Sequence, residues 1–385
     1  MKKTILIPAL ACFLLLCGWE TGAQTDQLDL MMETAGDARV KVMTRNIYVG
    51  ADVDIILGAQ DPNEVPILAA QAFAQMMSTN FPERAVALAK EIKMHKPHLI
   101  GLQEVYKIRF QKEGDAAMGG MVPATQVLFN YLKILRAALA AEGLDYQVAA
   151  KVKNIDLELP MYNPEAVSQL SDVRVTDYDV ILARGDVEIL AKYKGSYQAQ
   201  LIVPSAGITV PRGWVAVDAK IRNRTFHFVN THFEVITVPE LLPLQMAQAQ
   251  ELLTILSMQT NQVILVGDFN SMPKGDDVNT QVSYNFIRNN GYVDAWRRFD
   301  GRSGLIHNKA GNTYGHDYGL RNEAVDMYER VDHIWVRSDV YTDGKQDIGT
   351  TVMDVVGDEL ADRTPSGLWP SDHAGVVAYL WIPKY

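Results

Sequence analysis

The sequence has little cysteine, and what it has lies at one end. Cys12 and Cys17 are the two cysteines among 385 residues, and both fall in the N-terminal stretch MKKTILIPALACFLLLCGWETGAQ. A chain cut before Gln24 contains no thiol, so disulfide bonds and cysteine chemistry are excluded from its stability and its activity. Lipid attachment at Cys17 is disfavoured because Leu16 before it is larger than the residue that lipoprotein processing prefers.

Long apolar runs are absent beyond this stretch. The run 4–17 is interrupted by Pro8 and is short for a membrane-spanning helix. Lysines at its start and the small residues Thr21 and Ala23 behind it are typical of a bacterial secretory signal. We therefore expect residues 1–23 to be a cleaved signal peptide and the mature protein to be periplasmic or secreted, not an integral membrane protein. An uncleaved anchor is the alternative.

The sequence also lacks an excess of positive charge. It has 46 acidic residues against 36 Lys and Arg, a formal net charge of −10. Loss of residues 1–23 removes Lys2, Lys3 and Glu20, a net +1, so that −10 becomes −11. This balance excludes a general polyanion binder. It disfavours a nucleic-acid substrate only weakly, since a bound metal ion supplies positive charge locally.

Internal repeats, low-complexity tracts and charge blocks are absent as well. What the chain does contain, 48% hydrophobic and 21% charged residues, is the composition of a globular domain with a large core. We expect a linker over 24–37 and a single domain over 38–385. Hairpins and strand–helix–strand units predict sheets packed on each other with helices outside.

Apolar periodicity predicts the main elements of this domain. Strands are predicted in RVKVMTRNIYVG and HLIGLQEV, and hairpins in DVILARGDVEIL, turning at RGD, and in GWVAVDAKIRNRTFHFVNTHFE, with RNR at the tip. Helices are predicted from Pro82 until Pro97 stops the first, over 126–141, and over about 241–258. The core stripe of the second helix is Val127, Tyr131, Leu135 and Leu139.

A short stretch, VILVGDFNSMP, combines a buried strand with a polar end. The residues from Val263 to Val266 are aliphatic throughout, which is typical of a strand covered on both faces. Residues two apart in a strand point the same way, so Asp268 and Asn270 should project together. The pair is either a turn cap or half of an active site.

Polar residues end five apolar segments: Asn46, Glu104, NTHFE, GDFNS together with RVDH, and SDH at 371–373. The order and wording of TRNIY, LIGLQEV, VNTHFE, VGDFNS, RVDHIWV and SDHAGV resemble the endonuclease/exonuclease/phosphatase superfamily of metal-dependent phosphoesterases over about residues 38–385. Each fragment alone is weak, but six in the expected order are not expected by chance. The resemblance implies an α/β fold, a four-layer α/β sandwich of two mixed β-sheets packed face to face with helices on both outer sides.

The resemblance also implies a Mg²⁺ site, with Mn²⁺ as a substitute. Glu104 matches the family glutamate that binds Mg²⁺, and Asn46 matches its near neighbour. Asp372 would be a second ligand on the metal side. Mg²⁺ prefers hard oxygen ligands and needs only one or two carboxylates, which suits this set. A solvated carboxylate for Glu104 and a turn cap for Asn46 are the structural alternatives.

The remaining family residues would act on water and phosphate. Asp268 matches the residue that orients and deprotonates the attacking water, and Asn270 the one that holds a phosphate oxygen. His373 matches the terminal histidine, expected to be protonated when it faces a phosphate, and Asp332 resembles its carboxylate partner. His232 matches the other histidine, across the phosphate; a structural, hydrogen-bonded histidine is the alternative.

Other polar residues receive no catalytic role. His333 should point away from its neighbour Asp332, His227 should lie on the buried side of its hairpin, and His95 and His98 should lie on a surface turn. The resemblance assigns nothing to a further group, some of which lie where other members place a phosphate contact: Asp52, Asp54, Tyr162, Arg174, Tyr178 and Arg184.

The resulting hypothesis is an exported Mg²⁺-dependent phosphoesterase that hydrolyses a phosphodiester by in-line attack of water, with no obligate protein partner. The substrate is either nucleic acid, supported by RNR and WRRF, or a phospholipid head group, supported by the apolar stretch LIVPSAGITVPRGW. A phosphomonoesterase of a small molecule and a non-catalytic binding module on the same fold are the alternatives.

Overall fold

The computed structural model describes residues 38–382 except 121, 204–207, 237, 276–277, 299–309 and 339–348. The predicted signal peptide and linker, residues 1–37, lie outside the described residues. Within the described ranges, no helix is both long enough and apolar enough to cross a membrane.

Strands and helices alternate along the chain. The strands are β1 (Ala38–Asn46), β2 (Leu99–Gln103), β3 (Lys107–Gln111), β4 (Gln126–Asn130), β5 (Tyr146–Tyr162), β6 (Leu170–Arg184), β7 (Glu188–Ser196), β8 (Leu201–Val203), β9 (Ile208–Val210), β10 (Gly213–Ile221), β11 (Arg224–His232), β12 (Gln262–Asp268), β13 (Tyr292–Asp294), β14 (Asp332–Arg337), β15 (Gly349–Val356) and β16 (Gly375–Ile382). The helices are α1 (Asp54–Leu57), α2 (Val65–Ser78), α3 (Phe81–His95), α4 (Tyr131–Ala141), α5 (Leu242–Ser257), α6 (Val282–Asn289) and α7 (Ala295–Arg298).

Two large mixed sheets organise these strands. Sheet A has the order β15–β16–β1–β2–β6–β3–β4, with β5 also paired to β6, and sheet B has the order β13–β14–β12–β11–β10–β7. Each sheet contains one parallel pair, β1 with β2 in sheet A and β11 with β12 in sheet B. The short strands β8 and β9 form a separate two-stranded ribbon.

The two sheets face each other across the central core and carry helices on their outer faces. Val42 and Ile181 of sheet A share one buried cluster with Val217 and Ile264 of sheet B. A second cluster joins sheet A to α2, α3 and α4, and a third joins sheet B to α5 and α6. This helix–sheet–sheet–helix layering confirms the predicted α/β sandwich.

The predicted helix over 126–141 is wrong in its first part. Residues 126–130 form the edge strand β4, and the helix begins at Tyr131, where the Asn130 side chain accepts from the N–H of Lys133 at 3.1 Å. Val127 is 47% exposed, whereas the rest of the predicted stripe from Tyr131 onward is buried. The spacing of apolar residues did not reveal the boundary between β4 and the helix, because Val127 of β4 lies four residues before Tyr131, an interval that is also typical of a helix.

The predicted hairpin at RGD is also wrong. β6 belongs to sheet A and β7 to sheet B, so the turn carries the chain from one sheet to the other. Arg184 clamps the turn through an ion pair with Asp186 at 2.6 Å. The second predicted hairpin is confirmed, with β10 antiparallel to β11 and its tip after Ile221.

This topology brings several strand ends to one rim. In sheet A, parallel pairing aligns Asn46 with Gln103, the residue before Glu104. In sheet B, Asp268 pairs with His232 in parallel and with Asp332 in antiparallel fashion. Parallel strands end at the same edge, so the motif residues of both sheets meet there.

A buried ion pair ties this rim to the helical layer. Arg45, at the end of β1, donates to both carboxylate oxygens of Glu91 in α3 at 2.9 Å each, and to the carbonyl oxygen of His373. Gly357 packs against the pair with φ 81°, where a Cβ would come within 2.6 Å of both side chains. The pair therefore fixes β1, α3 and the segment around His373 together.

We expect Arg45→Met to lower the free energy of unfolding by about 3–5 kcal/mol, because it leaves the Glu91 carboxylate buried and unpaired. The double variant Arg45→Met/Glu91→Leu should recover most of this loss. Urea unfolding measures both. Lys93→Met, which removes an exposed ion pair with Glu142 from the same helix, is the matched control and should cost less than about 1 kcal/mol. Equal losses for the two single variants would contradict the assignment.

Candidate active site

Asn46 links the two halves of the site. Its Nδ2 donates to Glu104 Oε1 at 2.9 Å and to Asp268 Oδ2 at 3.1 Å, so one amide joins a carboxylate of sheet A to one of sheet B. Its Oδ1 accepts from the N–H of Tyr48 at 3.0 Å, which fixes the orientation of the amide. Glu104 Oε2 in turn accepts from the N–H of Val49 at 2.9 Å.

Two of the predicted residues depend on left-handed backbone. Glu104, just after β2, has φ 58°, and Asn270, two residues after the end of β12, has φ 45°. Non-glycine residues in this conformation are strained by about 1–3 kcal/mol each and often occur at functional sites. The predicted strand alternation therefore does not position Asn270, because β12 has already ended at Asp268.

Asp268 lies at the centre of the polar cluster and is 1% exposed. Its Oδ1 accepts from the N–H of Asn270 at 3.0 Å, whereas the Asn270 side chain donates to the Phe233 carbonyl at 2.9 Å. Burial and the neighbouring carboxylate of Asp332 raise the pKa of Asp268 to about 7, although His373 opposes the shift. A carboxyl with its pKa near neutrality is matched to accepting a proton at that pH.

His373 and Asp332 form the predicted pair. His373 Nδ1 lies 2.9 Å from Asp332 Oδ2, and its Nε2 lies 3.6 Å from Asp268 Oδ2. Burial opposes the charge on His373, but Asp332 and Asp268 outweigh it and raise its pKa to about 10. The imidazole is therefore a cation at neutral pH, with Nδ1–H bound to Asp332 and Nε2–H directed toward Asp268.

His232 faces the same oxygen of Asp268, but its ring is neutral. Its Nε2 lies 3.5 Å from Asp268 Oδ2, and its Nδ1 lies 3.1 Å from Arg212 Nη1. Burial, then Arg212 and His373, lower its pKa well below the usual range. A guanidinium can only donate, so Nδ1 accepts and the single ring proton is on Nε2.

Asp372 is buried beside the histidine. Its Oδ1 accepts from Ser371 Oγ at 3.3 Å, and burial raises its pKa to about 6, with Glu104 adding to the shift and His373 opposing it. The electrostatic effect of Glu104 on Asp372 indicates that these two predicted metal ligands share one region of the rim.

The donor set fits a divalent cation. Repulsion between carboxylates contributes to the raised pKa values of Asp268 and Asp372, and Asp332 Oδ1 is buried with no hydrogen-bond partner among the described residues. Excess negative charge on hard oxygens is what Mg²⁺ binding offsets. One ligand atom each from Asp268, Asp332 and His373 lie within 4.8 Å of one another. A protonated His373 cannot be a ligand, so the donors left for a metal ion are the carboxylates of the rim, which include the predicted ligands Glu104 and Asp372.

Arg212 is a site residue that the sequence did not reveal. It lies near the end of the apolar stretch LIVPSAGITVPRGW, outside the six motifs that resemble the family. It forms an ion pair with Glu234 at 3.1 Å and contacts His232. The two arginines considered for a phosphate contact are engaged elsewhere, since Arg174 pairs with Asp156 at 2.8 Å. Arg184 clamps the turn between β6 and β7.

Of the four other histidines considered in the sequence, two follow the prediction and two do not. His333 points away from the rim, with Nε2 2.7 Å from the Ser271 carbonyl, and His227 is buried and bonded to Asp218 at 2.8 Å. His95 and His98 are 8% and 6% exposed, so the predicted surface turn is wrong for both side chains. His98 Nδ1 accepts from the N–H of Lys41 at 2.9 Å, which secures the start of β2.

Comparisons with known proteins agree with this arrangement. The protein-family model for the "Endonuclease/Exonuclease/phosphatase family" matches residues 75–373 of the chain. A search of curated proteins found no significant match.

Solved structures show the same fold. An endonuclease/exonuclease/phosphatase family protein from Bacteroides thetaiotaomicron is 17% identical with a TM-score of 0.52, over 90% of this chain and 99% of that chain. An endonuclease/exonuclease/phosphatase from Beutenbergia cavernae is 16% identical with a TM-score of 0.50, over 90% of this chain and 72% of that chain. D. rerio TDP2 complexed with single strand DNA product is 14% identical with a TM-score of 0.47, over 89% and 99%; below 0.5, it supports no conclusion about substrate.

We expect the two rim histidines to show opposite protonation states in metal-free protein. At about pH 7, ¹⁵N NMR should show His373 as an imidazolium and His232 as the neutral Nε2–H tautomer. His373 should lose its proton only as the pH approaches the pKa of about 10. Asp332→Asn should bring that titration to lower pH. Titration of both rings near the ordinary value of about 6.5 would contradict the geometry.

A pair of buried carboxylates near Arg212 predicts a pH-dependent stability. Asn154 Nδ2 donates to Asp177 at 2.9 Å and to Asp179 at 3.0 Å, so the two carboxylates share one amide. Burial raises the pKa of Asp177 to about 6, and burial and the neighbouring Asp177 raise the pKa of Asp179 well above its usual range.

A raised pKa means that the folded state holds the protonated carboxyl more firmly than the unfolded state does. The contribution of Asp177 to the free energy of unfolding is therefore present at low pH and is lost as the pH rises through about 6. We expect Asp179→Asn to raise the unfolding temperature at pH 8 by several degrees and at pH 4 by much less, measured by calorimetry. The same increase at both pH values would contradict the raised pKa of Asp179.

Proposed function

Because the chain belongs to the endonuclease/exonuclease/phosphatase family, as its motifs predicted, we propose that it is an exported, Mg²⁺-dependent phosphodiesterase. Members of this family are metal-dependent phosphoesterases. Export rests on the signal-like N-terminal sequence, and the choice of a diester rests on the site. The presence of both rim histidines, His232 and His373, favours a diester over a monoester, since each offers an N–H to a phosphoryl oxygen.

One observation carries the proposal: Asp268 Oδ2 is faced by two ring nitrogens, His232 Nε2 at 3.5 Å and His373 Nε2 at 3.6 Å. Both distances exceed those of good hydrogen bonds, so each N–H retains the capacity to bind another oxygen. An acceptor with a raised pKa between two donors suits a water molecule and a phosphate held side by side.

In the proposed reaction, Asp268 accepts a proton from water as the water oxygen attacks phosphorus. The new P–O bond forms in line with the P–O bond to the leaving group, which breaks with its electron pair going to the leaving oxygen. The charged Nε2–H of His373 and the neutral Nε2–H of His232 donate to phosphoryl oxygens and stabilise their negative charge. Asp332 keeps His373 protonated and oriented.

Glu104 and Asp372 would hold the metal ion, and Asn46 would orient Glu104 through its amide. Bound Mg²⁺, or Mn²⁺ in its place, supplies Lewis-acid stabilisation of charge on the phosphate and leaving oxygens. Asn270 N–H fixes the orientation of the Asp268 carboxylate.

The test compares hydrolysis of bis-p-nitrophenyl phosphate with that of p-nitrophenyl phosphate, each with Mg²⁺ and with EDTA. We expect the diester to be hydrolysed faster and EDTA to abolish turnover. Asp268→Asn and His373→Ala should each lower kcat by about 10²–10⁴-fold, because each removes a group that moves a proton or stabilises charge. Plasmid DNA and sphingomyelin vesicles, assayed in parallel, report on the natural class of substrate.

The β10–β11 hairpin offers matched controls. His227 and Asp218 form a second Asp–His pair at 2.8 Å, five residues before the rim along β11. Asp218→Asn and His227→Ala should leave kcat within about twofold of the original protein. Wild-type kcat in Asp268→Asn, in a preparation free of contaminating hydrolases, would refute the assignment of the base. Turnover in EDTA would refute metal dependence.

A further inference from the structure

A mostly apolar cavity of about 150 Å³ lies beside the candidate active site. Its walls come from the segment 49–57 with α1, from α2, from the long strands β5 and β6, and from the ribbon β8–β9 with the segment that follows it. Tyr106, Glu234 and Val235 complete the lining. The apolar lining includes Ala72 and Met76 of α2, Leu157 of β5, Val175 of β6 and Ile208 of β9. An engineered apolar cavity of about 150 Å³ holds a benzene molecule, so the space suits about six carbons.

The cavity adjoins the catalytic rim through shared wall residues. Val49 lines it and donates its N–H to Glu104 Oε2 at 2.9 Å. Arg212 also lines it and contacts His232 Nδ1 at 3.1 Å. A group attached to a phosphate at the rim would therefore lie next to the cavity.

Charge is confined to the part of the wall near the rim. The charged lining residues are Asp54, Asp177, Arg212 and Glu234. Glu234 pairs directly with Arg212, and the other two carboxylates interact electrostatically with both Arg212 and Glu104. The cavity wall is thus charged where it adjoins the rim and aliphatic elsewhere.

We propose that this cavity binds the apolar ester group of the substrate, an aliphatic chain of about six carbons or a part of a longer one, which makes the substrate class a lipid-like phosphodiester. The proposal rests on the proposed function of the rim. A nucleic acid fits less well, because the sugar next to each phosphate is polar and the carboxylates in the wall near the rim repel neighbouring phosphates.

The test is a series of alkyl p-nitrophenyl phosphates from methyl to octyl, assayed with Mg²⁺ below their micellar concentrations. We expect kcat/KM to rise about fourfold for each added methylene, the factor that corresponds to burying one methylene, and to level off near about six carbons. A flat series with clear hydrolysis of the methyl ester would overturn the cavity proposal and leave the phosphodiesterase proposal standing.

Two variants of one helix separate filling of the cavity from general effects. Ala72→Phe places a ring in the cavity, whereas Ala74→Phe places the same ring on the exposed side of α2. Ala72→Phe should abolish the dependence on chain length while leaving methyl ester hydrolysis unchanged, and Ala74→Phe should alter neither. If Ala72→Phe does not fold, Leu157→Ala should enlarge the cavity and move the plateau to longer chains. Equal behaviour of the variants and the original protein would refute the proposal.

A binding measurement keeps the two proposals distinguishable if no ester is hydrolysed. Methylphosphonate and hexylphosphonate have a C–P bond that the proposed reaction does not break, and calorimetric titration gives their affinities. Tighter binding of hexylphosphonate, lost in Ala72→Phe and kept in Ala74→Phe, would support the cavity while the proposed function failed. Equal affinities for the two phosphonates would overturn the cavity proposal independently of catalysis.

Discussion

The amide of Asn46 is the contact on which the arrangement of the rim depends. It is one hydrogen-bond donor shared by Glu104 of one sheet and Asp268 of the other, and it sets the separation of the two carboxylates across the interface between the sheets. The preceding residue, Arg45, binds Glu91 on the helical side of the same strand. Successive residues of a strand point to opposite faces, so the end of β1 is fastened toward both neighbouring layers.

This rim carries features that reduce stability and that the rest of the fold must offset. Asp268 and Asp332 are buried close together, Asp372 is buried next to His373 in the chain, and Glu104 and Asn270 adopt strained left-handed backbone. Folding alone gives no reason to bring buried carboxylates together, because each raises the cost of ionising the others. The three hydrophobic clusters that join the four layers supply the compensating stability, and the rim is available for chemistry as a consequence.

The sequence predicted what is encoded at strand ends and missed what depends on packing between distant segments. Asp268, Asp332 and His373 could be predicted because each directly follows or precedes an apolar strand that carries its own local signal. The position of β7 in sheet B could not be predicted, because the RGD turn has the same local pattern whether the chain returns to its own sheet or crosses to the other. Arg212 had no signal either. Its role arises from contact with His232 on a neighbouring strand, and a lone arginine in a loop-like segment is usually solvated.

The candidate catalytic residues and the cavity that is proposed to bind the ester group also come from different elements of the fold. The candidate catalytic residues come from the ends of β1, β2, β11 and β12 and from the segment before β16, whose mutual register fixes them. The cavity walls come mainly from α1, from α2, from the parts of β5 and β6 that extend past the bulge at 153–156, and from the β8–β9 ribbon. None of these wall elements contributes a predicted catalytic residue. Side chains of the cavity could therefore change the apolar group that is accepted while Asn46, Asp268 and His373 stay in register, because none of these three residues lines the cavity.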